Sequence, residues 1–513
     1  MGYELKKNTL QFYEFSAVCS VVHEESADMI VPDFCPDVAR ILTADAVPLI
    51  KGKDLQGDRA TVSGLIKLTV LYVPEGEDGV RSFLTSIPFT LTTSFKDFEG
   101  CHTLFACLKA RTIDTNLLNS RKIFCRVTLE AALKGFRQKK YSFCDSIEGR
   151  EDYGIEIKCR EKTIEAVTAY CEKDISFTEE LPLARDLDGA VEVLSAGVHP
   201  QITELKPYGN KLILKGLAMV EFLYLTEDHR ILTAKGEFPF SQIFDIDEVP
   251  EDARADVCFH FSELEYHIGS ERNPEDVHCI SFGLTLPCQA VVYSKIPISY
   301  ICDLYSIKYS MTPHVLHLNC SSASKELRQR SEMQQLLEIG MAPEEILFKT
   351  LFFDEVYSSR EGDTVLLQTN AHVKVLCRDE NGLPMMVERQ IECSCRLDVP
   401  QDQVFDGRME YLGDLTASAV RAGIDLRFSI DFIAQAAEAA ELSVLTDLEL
   451  DEEHPKDLSK VPSLVLRFYE QEDTLWSVAK RYATSVDAIK AANELTDETE
   501  LSCGKLLLIP RKV

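Results

Sequence analysis

The sequence predicts a mainly β protein with short helices, made of three repeated β-rich domains and closed at its C-terminus by a small α+β unit with the order strand, helix, helix, strand. Three observations lead there. Long alternations of apolar and polar residues, the period of a half-buried strand, recur at a near-constant interval through residues 1–450. A second alternating signature follows each of them. The chemistry then changes at residue 464, where helical spacing appears between two short alternating runs.

The first signature is VSGLIKLTVLYV at 62–73, which returns as LKGLAMVEFLYL at 214–225, a shift of 152, and as LQTNAHVKVLCR at 367–378. In the first two copies a partner strand ends in Ile87-Pro88-Phe89 and in Phe238-Pro239-Phe240. The third keeps that strand, from Val387 to Cys395, without the proline. Gly64 and Gly216 align with Thr369, so the third copy has diverged. The second signature places Ile123, Cys125, Val127 and Leu129 in correspondence with Ile280, Phe282, Leu284 and Leu286, and with Ile424, Leu426, Phe428 and Ile430, always two apart, as on the buried face of a sheet. Upstream of the first strand, Val38, Ile41 and Leu42, then Ala190, Val193 and Leu194, then Met333, Leu336 and Leu337 recur at i, i+3, i+4, which predicts a short helix in each copy. His314 and His317 also have helical spacing, and with no second histidine cluster or paired acid they read as structural.

One order of elements therefore repeats three times, giving β-rich domains at 1–157, 158–306 and 307–450. The period is too long for a solenoid repeat, so each copy needs its own core. The acidic segment 451–463, with two prolines, reads as a solvated linker.

In the last unit, 464–513, Leu464, Leu466 and Phe468 alternate with Val465, Arg467 and Tyr469, as in a short strand. Asp473 and Thr474 offer oxygens to a helix start, and Leu475, Val478, Ala479 and Tyr482 lie on one helical face. Thr484 or Ser485 starts a second helix carrying Val486, Ile489 and Asn493. Gly504 opens a closing strand that Pro510 stops. Trp476, the one tryptophan, belongs to the small core, beneath the loops.

The run DTLWSVAKRY, with Ala492-Asn493 downstream and Ile509-Pro510 at the end, resembles a LysM module. The resemblance implies binding of N-acetylglucosamine polymers such as peptidoglycan, in a groove between the loops 470–474 and 494–504. This chain departs from that pattern. Glu472 stands where glycine is usual and Cys503 where proline is frequent. Glu470, Glu472, Asp473, Asp497, Glu498 and Glu500 load the two loops with carboxylates before the first cation, Lys505. Such a field suits a peptidoglycan stem carboxylate poorly. Leu506 and Leu508 replace polar residues, and an apolar pair beside acidic loops has the composition of a protein contact. The candidate partner- or glycan-binding residues are Glu472, Asp473, Thr474, Glu498, Glu500, Gly504, Leu506 and Leu508.

Three copies of a β-rich domain, an acidic linker and a terminal LysM-like module together resemble the LysM-containing coat-morphogenesis proteins of clostridial sporulation. That resemblance implies a protein of the mother cell, on the cytoplasmic side of the forespore surface, which helps to localise the coat's basement-layer ATPase. The expected partner is that ATPase or another coat protein. The alternative partner is a peptidoglycan glycan of the cell wall or spore cortex.

Composition narrows the classes further. A formal charge of −30 argues against nonspecific nucleic-acid binding and against an electrostatic hold on anionic lipid, since both need a basic surface. No signal-peptide pattern is legible at the N-terminus, and no apolar run is long enough for a membrane helix, so no membrane insertion is expected. The seventeen cysteines include no CxxC, and Cys393 and Cys395 share one face of a strand, which predicts reduced core thiols and no metal site. The motifs GxxxxGK[ST], GxGxxG, HExxH and GxSxG are absent. Cys35 opens one of the predicted helices, as a hydrolase nucleophile would, but the corresponding position of the second copy is Leu187. The expectation is a noncatalytic scaffold without a cofactor.

Overall fold

The computed structural model describes residues 2–76, 79–259, 263–322, 324–457, 462–495 and 503–511, apart from the side chains of 15–18. The fold is mainly β. Its frame is a set of long antiparallel pairs: Glu4–Ile30 runs against Lys122–Glu148 from Glu4↔Glu148 to Ile30↔Lys122, and Ile155–Pro182 runs against Cys279–Ser306. In the last pair, Tyr309–Ser321 and Lys325–Glu338 share the single partner Gly423–Pro455. These pairs belong to a 12-stranded sheet in which bridges at Tyr13↔Val167 and Glu165↔Ser321 join one pair to the next.

Between the two strands of each long pair the chain makes a smaller sheet. The first is the meander Val38–Gln56, Arg59–Pro74, Arg81–Ser94. The second pairs Ala190–Thr226 with Ile231–Val249, and the third has Thr364–Arg378 at its centre. The three repeated strand signatures fall inside these central strands. The second signature faces inward in every assembly: Ile123, Cys125, Val127, Leu129 and their eight counterparts are at most 3% exposed. Each assembly buries its own core, around Val62 and Leu129, around Phe222 and Leu284, and around Val373 and Phe428.

Further cores among the described residues join the assemblies, one of them around Cys144, Ile301 and Leu445. Leu42 and Leu71 of the first, Leu194 and Leu223 of the second, and Leu347 and Leu376 of the third meet in one cluster. The outer ends of the long pairs share another, with Leu10, Ile164 and Leu318 at matching places. Polar contacts close the same ring. Arg81 and Ser82 bind Glu192, Thr233 donates to the Leu347 carbonyl at 3.0 Å, and Arg40 donates to the Pro384 carbonyl at 2.8 Å.

The three short helices predicted upstream of the repeats are strands instead. Val38, Ile41 and Leu42 lie in Val38–Gln56, Ala190, Val193 and Leu194 in Ala190–Thr226, and Met333, Leu336 and Leu337 in Lys325–Glu338. In the first copy the register slips at Val38/Arg40 and again at Ile41/Thr43, so bulges break the period of two and imitate helical spacing. In the third the ladder is regular, and Leu336 simply points outward while Leu337 is buried. His314 and His317 are likewise on a strand, exposed, beside Glu449 and Glu441. The segment taken as a linker begins paired: Asp451 stands opposite Ser310, Pro455 opposite Tyr309, and Lys456 donates its amide to the Lys308 carbonyl at 2.8 Å.

The divergence of Thr369 has a packing reason. A Cβ on Gly64 would lie 1.9 Å from the Leu49 carbonyl oxygen, and one on Gly216 would lie 2.5 Å from that of Gln201. Thr369 has no such clash, and its buried hydroxyl donates to the Asp354 carbonyl at 3.0 Å.

Candidate functional site

The C-terminal module is a two-stranded sheet, Leu464–Phe468 against Leu506–Pro510, with helices α1 (Leu475–Tyr482) and α2 (Val486–Ala492) between. Thr474 caps α1: its hydroxyl accepts the Ser477 amide at 3.0 Å, and the Thr474 amide donates to the Ser477 hydroxyl at 2.9 Å. Ser485 accepts the Ala488 amide at 3.1 Å and so starts α2. Asn493 ties the end of α2 to the closing strand, donating to the Leu508 carbonyl at 2.6 Å and accepting the Leu508 amide at 2.8 Å. One sheet face covers a core of Leu475, Val478, Ala479, Ile489, Leu507 and Ile509.

The other sheet face is bare. Leu464 is 48% exposed, Leu466 59%, Phe468 63% and Leu506 49%, and Leu508 is half-buried. Cross-strand pairing puts Phe468 beside Leu506 and Leu466 beside Leu508, so they form one apolar surface. Leu506 and Leu508 were legible as candidates. Leu464, Leu466 and Phe468 were missed, although their alternation with Val465 and Arg467 already placed them on a common face.

The acidic loop residues have different fates. Glu472 is exposed, whereas Asp473 is buried and committed inside the module, accepting from Arg467 at 2.9 Å and from the Glu470 amide at 3.1 Å. Thr474 is exposed, but its hydroxyl is used by the helix cap. Gly504 takes φ 86°, open to glycine at little cost, and its amide meets the Tyr469 carbonyl at 2.8 Å. Glu498 and Glu500 lie outside the described residues, as does Asp497.

Trp476 does not serve only the module's interior. Its indole N–H donates to Asp303 at 2.8 Å, and its ring meets Tyr305 edge-on at 5.0 Å. Lys480 binds the same carboxylate at 2.5 Å, and the Tyr305 hydroxyl donates to the Thr484 carbonyl at 2.6 Å. Asp303 and Tyr305 belong to the long strand Cys279–Ser306, so the helical side of the module is seated on the body. Burial pushes the Asp303 carboxyl up, but hydrogen bonds from Lys480 and Trp476 and the Lys480 charge outweigh it and hold the group below its ordinary range.

All seventeen cysteines are free, and Cys393 and Cys395 are both buried. Cys35 is buried in the core of the first assembly, where burial raises its thiol. No described helix is long and apolar enough to cross a membrane.

Residues 190–269, in the second assembly, match the family model described as SipL, SPOCS domain, and residues 470–510 match that of the LysM domain. No curated protein and no solved structure was found to match the chain. The two family matches, one sporulation-related and the other a binding module, support a LysM-containing spore-coat protein of the clostridial type.

Proposed function

We propose that this chain is a noncatalytic scaffold of spore-coat assembly, working on the mother-cell side of the forespore surface. Its C-terminal module docks on a coat protein, of which the basement-layer ATPase is the leading candidate. The observation that carries the reading is the bare sheet face: four large apolar side chains about half exposed or more, in one surface, on a module whose helical side is already seated. Exposed apolar surface of this kind is stabilised by a partner that covers it. In this reading the body, repeat domains at 1–157, 158–306 and 307–450, presents the tail from 464–513 through the acidic segment 451–463.

The test is capture of the purified ATPase by the full-length chain and by L466S/F468S/L506S. Capture is expected to fall by tenfold or more in the variant with its circular dichroism unchanged. Equal capture would discard the face as the docking surface.

A second reading, a peptidoglycan-binding protein of the wall or cortex, is favoured by the family match at 470–510. Sedimentation of the full-length chain with purified peptidoglycan separates the two. Saturable binding that survives moderate salt and is unaffected by the three serines would support the glycan reading.

A further inference from the structure

The third assembly leaves open a seam that the second closes. In each assembly the first long strand lies beside the outer strand of the smaller sheet: Glu4–Ile30 beside Arg81–Ser94, Ile155–Pro182 beside Ile231–Val249, and Lys325–Glu338 beside Pro384–Asp398. No ladder joins the last two among the described residues, and residues 335–338 and 389–392 line a cleft of about 540 Å³ between them.

Both walls of the cleft are edge strands, and the register fixes which backbone groups face into it. Asn370 accepts the Asp354 amide on the far side of its strand, so its partner Glu392 and, two residues away, Gln390 turn N–H and C=O into the cleft. Ile339 donates to the Ala422 carbonyl, so Glu338 and Leu336 turn theirs away from that partner, into the same space.

The other copies blunt these positions. Register places Pro88 and Pro239 where Glu392 stands, and Pro182 where Glu338 stands. Proline has no N–H to offer, so the second assembly is blunted on both facing edges, the first on one and the third on neither. Arg389 stands where the second copy has Gly236, on which a Cβ would lie 2.9 Å from the Leu181 side chain. An arginine cannot come that close to Leu337, the counterpart of Leu181, and the seam stays open. Leu337 and Ile391, both buried in the assembly's core, form the floor of the cleft, while Glu338 and Glu392 are exposed at its mouth. Arg389 is turned back on the Glu388 carbonyl, 2.8 Å away.

We propose that this cleft takes an extended segment of a partner protein as an added strand, with alternate residues apolar toward Leu337 and Ile391 and lysine or arginine toward Glu338 and Glu392. The backbone of such a segment bonds to both edges at once, and its period of two gives each face the matching chemistry. The site is separate from the bare face of the C-terminal module, which a partner covers with side chains.

The probe is a fluorescein-labelled peptide of four Val-Lys repeats, titrated into the full-length chain and followed by anisotropy. Saturable binding is expected, with slowed hydrogen exchange at the amides of Leu336, Glu338, Gln390 and Glu392. Val-Glu repeats, and Val-Lys repeats N-methylated at every second residue, should bind at least about tenfold more weakly, through charge in one case and lost backbone bonds in the other. Glu392→Pro, which restores the proline of the other copies and breaks no ladder bond, should weaken the Val-Lys peptide similarly. L466S/F468S/L506S should bind it as well as the unaltered chain does. Equal binding of the N-methylated peptide, or no protection of either edge, would overturn the proposal, as would an edge-to-edge dimer of this chain in sedimentation that Glu392→Pro dissolves.

Discussion

The body and the C-terminal module treat their apolar strand faces in opposite ways. In the body, Leu42, Leu71 and their counterparts, which would be surface residues on one assembly alone, are covered by the other two. In the module, Leu464, Leu466, Phe468 and Leu506 remain in water. Three like assemblies can bury one another's faces within a chain, whereas a single small module cannot, and that difference makes its bare face the place to look for a second molecule.

Perturbations of the body should be costly in proportion to how deeply they reach its cores. Phe222→Ala, in the fully buried core of the second assembly, is expected to cost about 3–5 kcal/mol, measured by urea unfolding. Lys374 is next: the residue is 8% exposed, and its ammonium binds the Thr43 hydroxyl, the Ala44 carbonyl and Asp45 across the ring. Lys374→Ala strands those acceptors and should cost about 3 kcal/mol; a loss below about 1 kcal/mol would show that the ring does not need this contact.

The seam between body and module should yield more gently. Trp476→Ala removes the indole from Tyr305 and Asp303, and faster hydrogen exchange is expected in α1 with the body unchanged. Because Asp303 titrates lower in the folded protein than in the unfolded chain, its contribution is fully present above about pH 4 and is lost as pH falls through the folded value. Asp303→Asn should flatten that part of the seam's acid dependence; an unchanged profile would assign it to other carboxylates. The smallest effect on stability, within about 0.5 kcal/mol, is expected from L466S/F468S/L506S, since these side chains are already solvated.

How much was legible in the sequence follows from which signals are local. Ile123, Ile280 and Ile424 announced buried strands because a period of two needs no tertiary information. Val38, Ile41 and Leu42 misled because bulges shift the phase of a strand. The central cluster could not be read, since Leu71, Leu223 and Leu376 look like ordinary strand residues until the ring brings them together. In the module the order of elements and Leu506 were legible. Asp473 read as a loop acid until its bonds to Arg467 placed it inside, and the seat of Trp476 on Asp303 depends on a residue 173 positions away.

The central claim is that the bare face is where the molecule meets another protein. Hydrogen exchange on the full-length chain, alone and with the basement-layer ATPase, tests it most directly. The account predicts slowed exchange confined to Leu464–Phe468 and Leu506–Pro510. Binding with no protection there, and protection of the loops 470–474 and 503–505 by an N-acetylglucosamine oligomer instead, would contradict it.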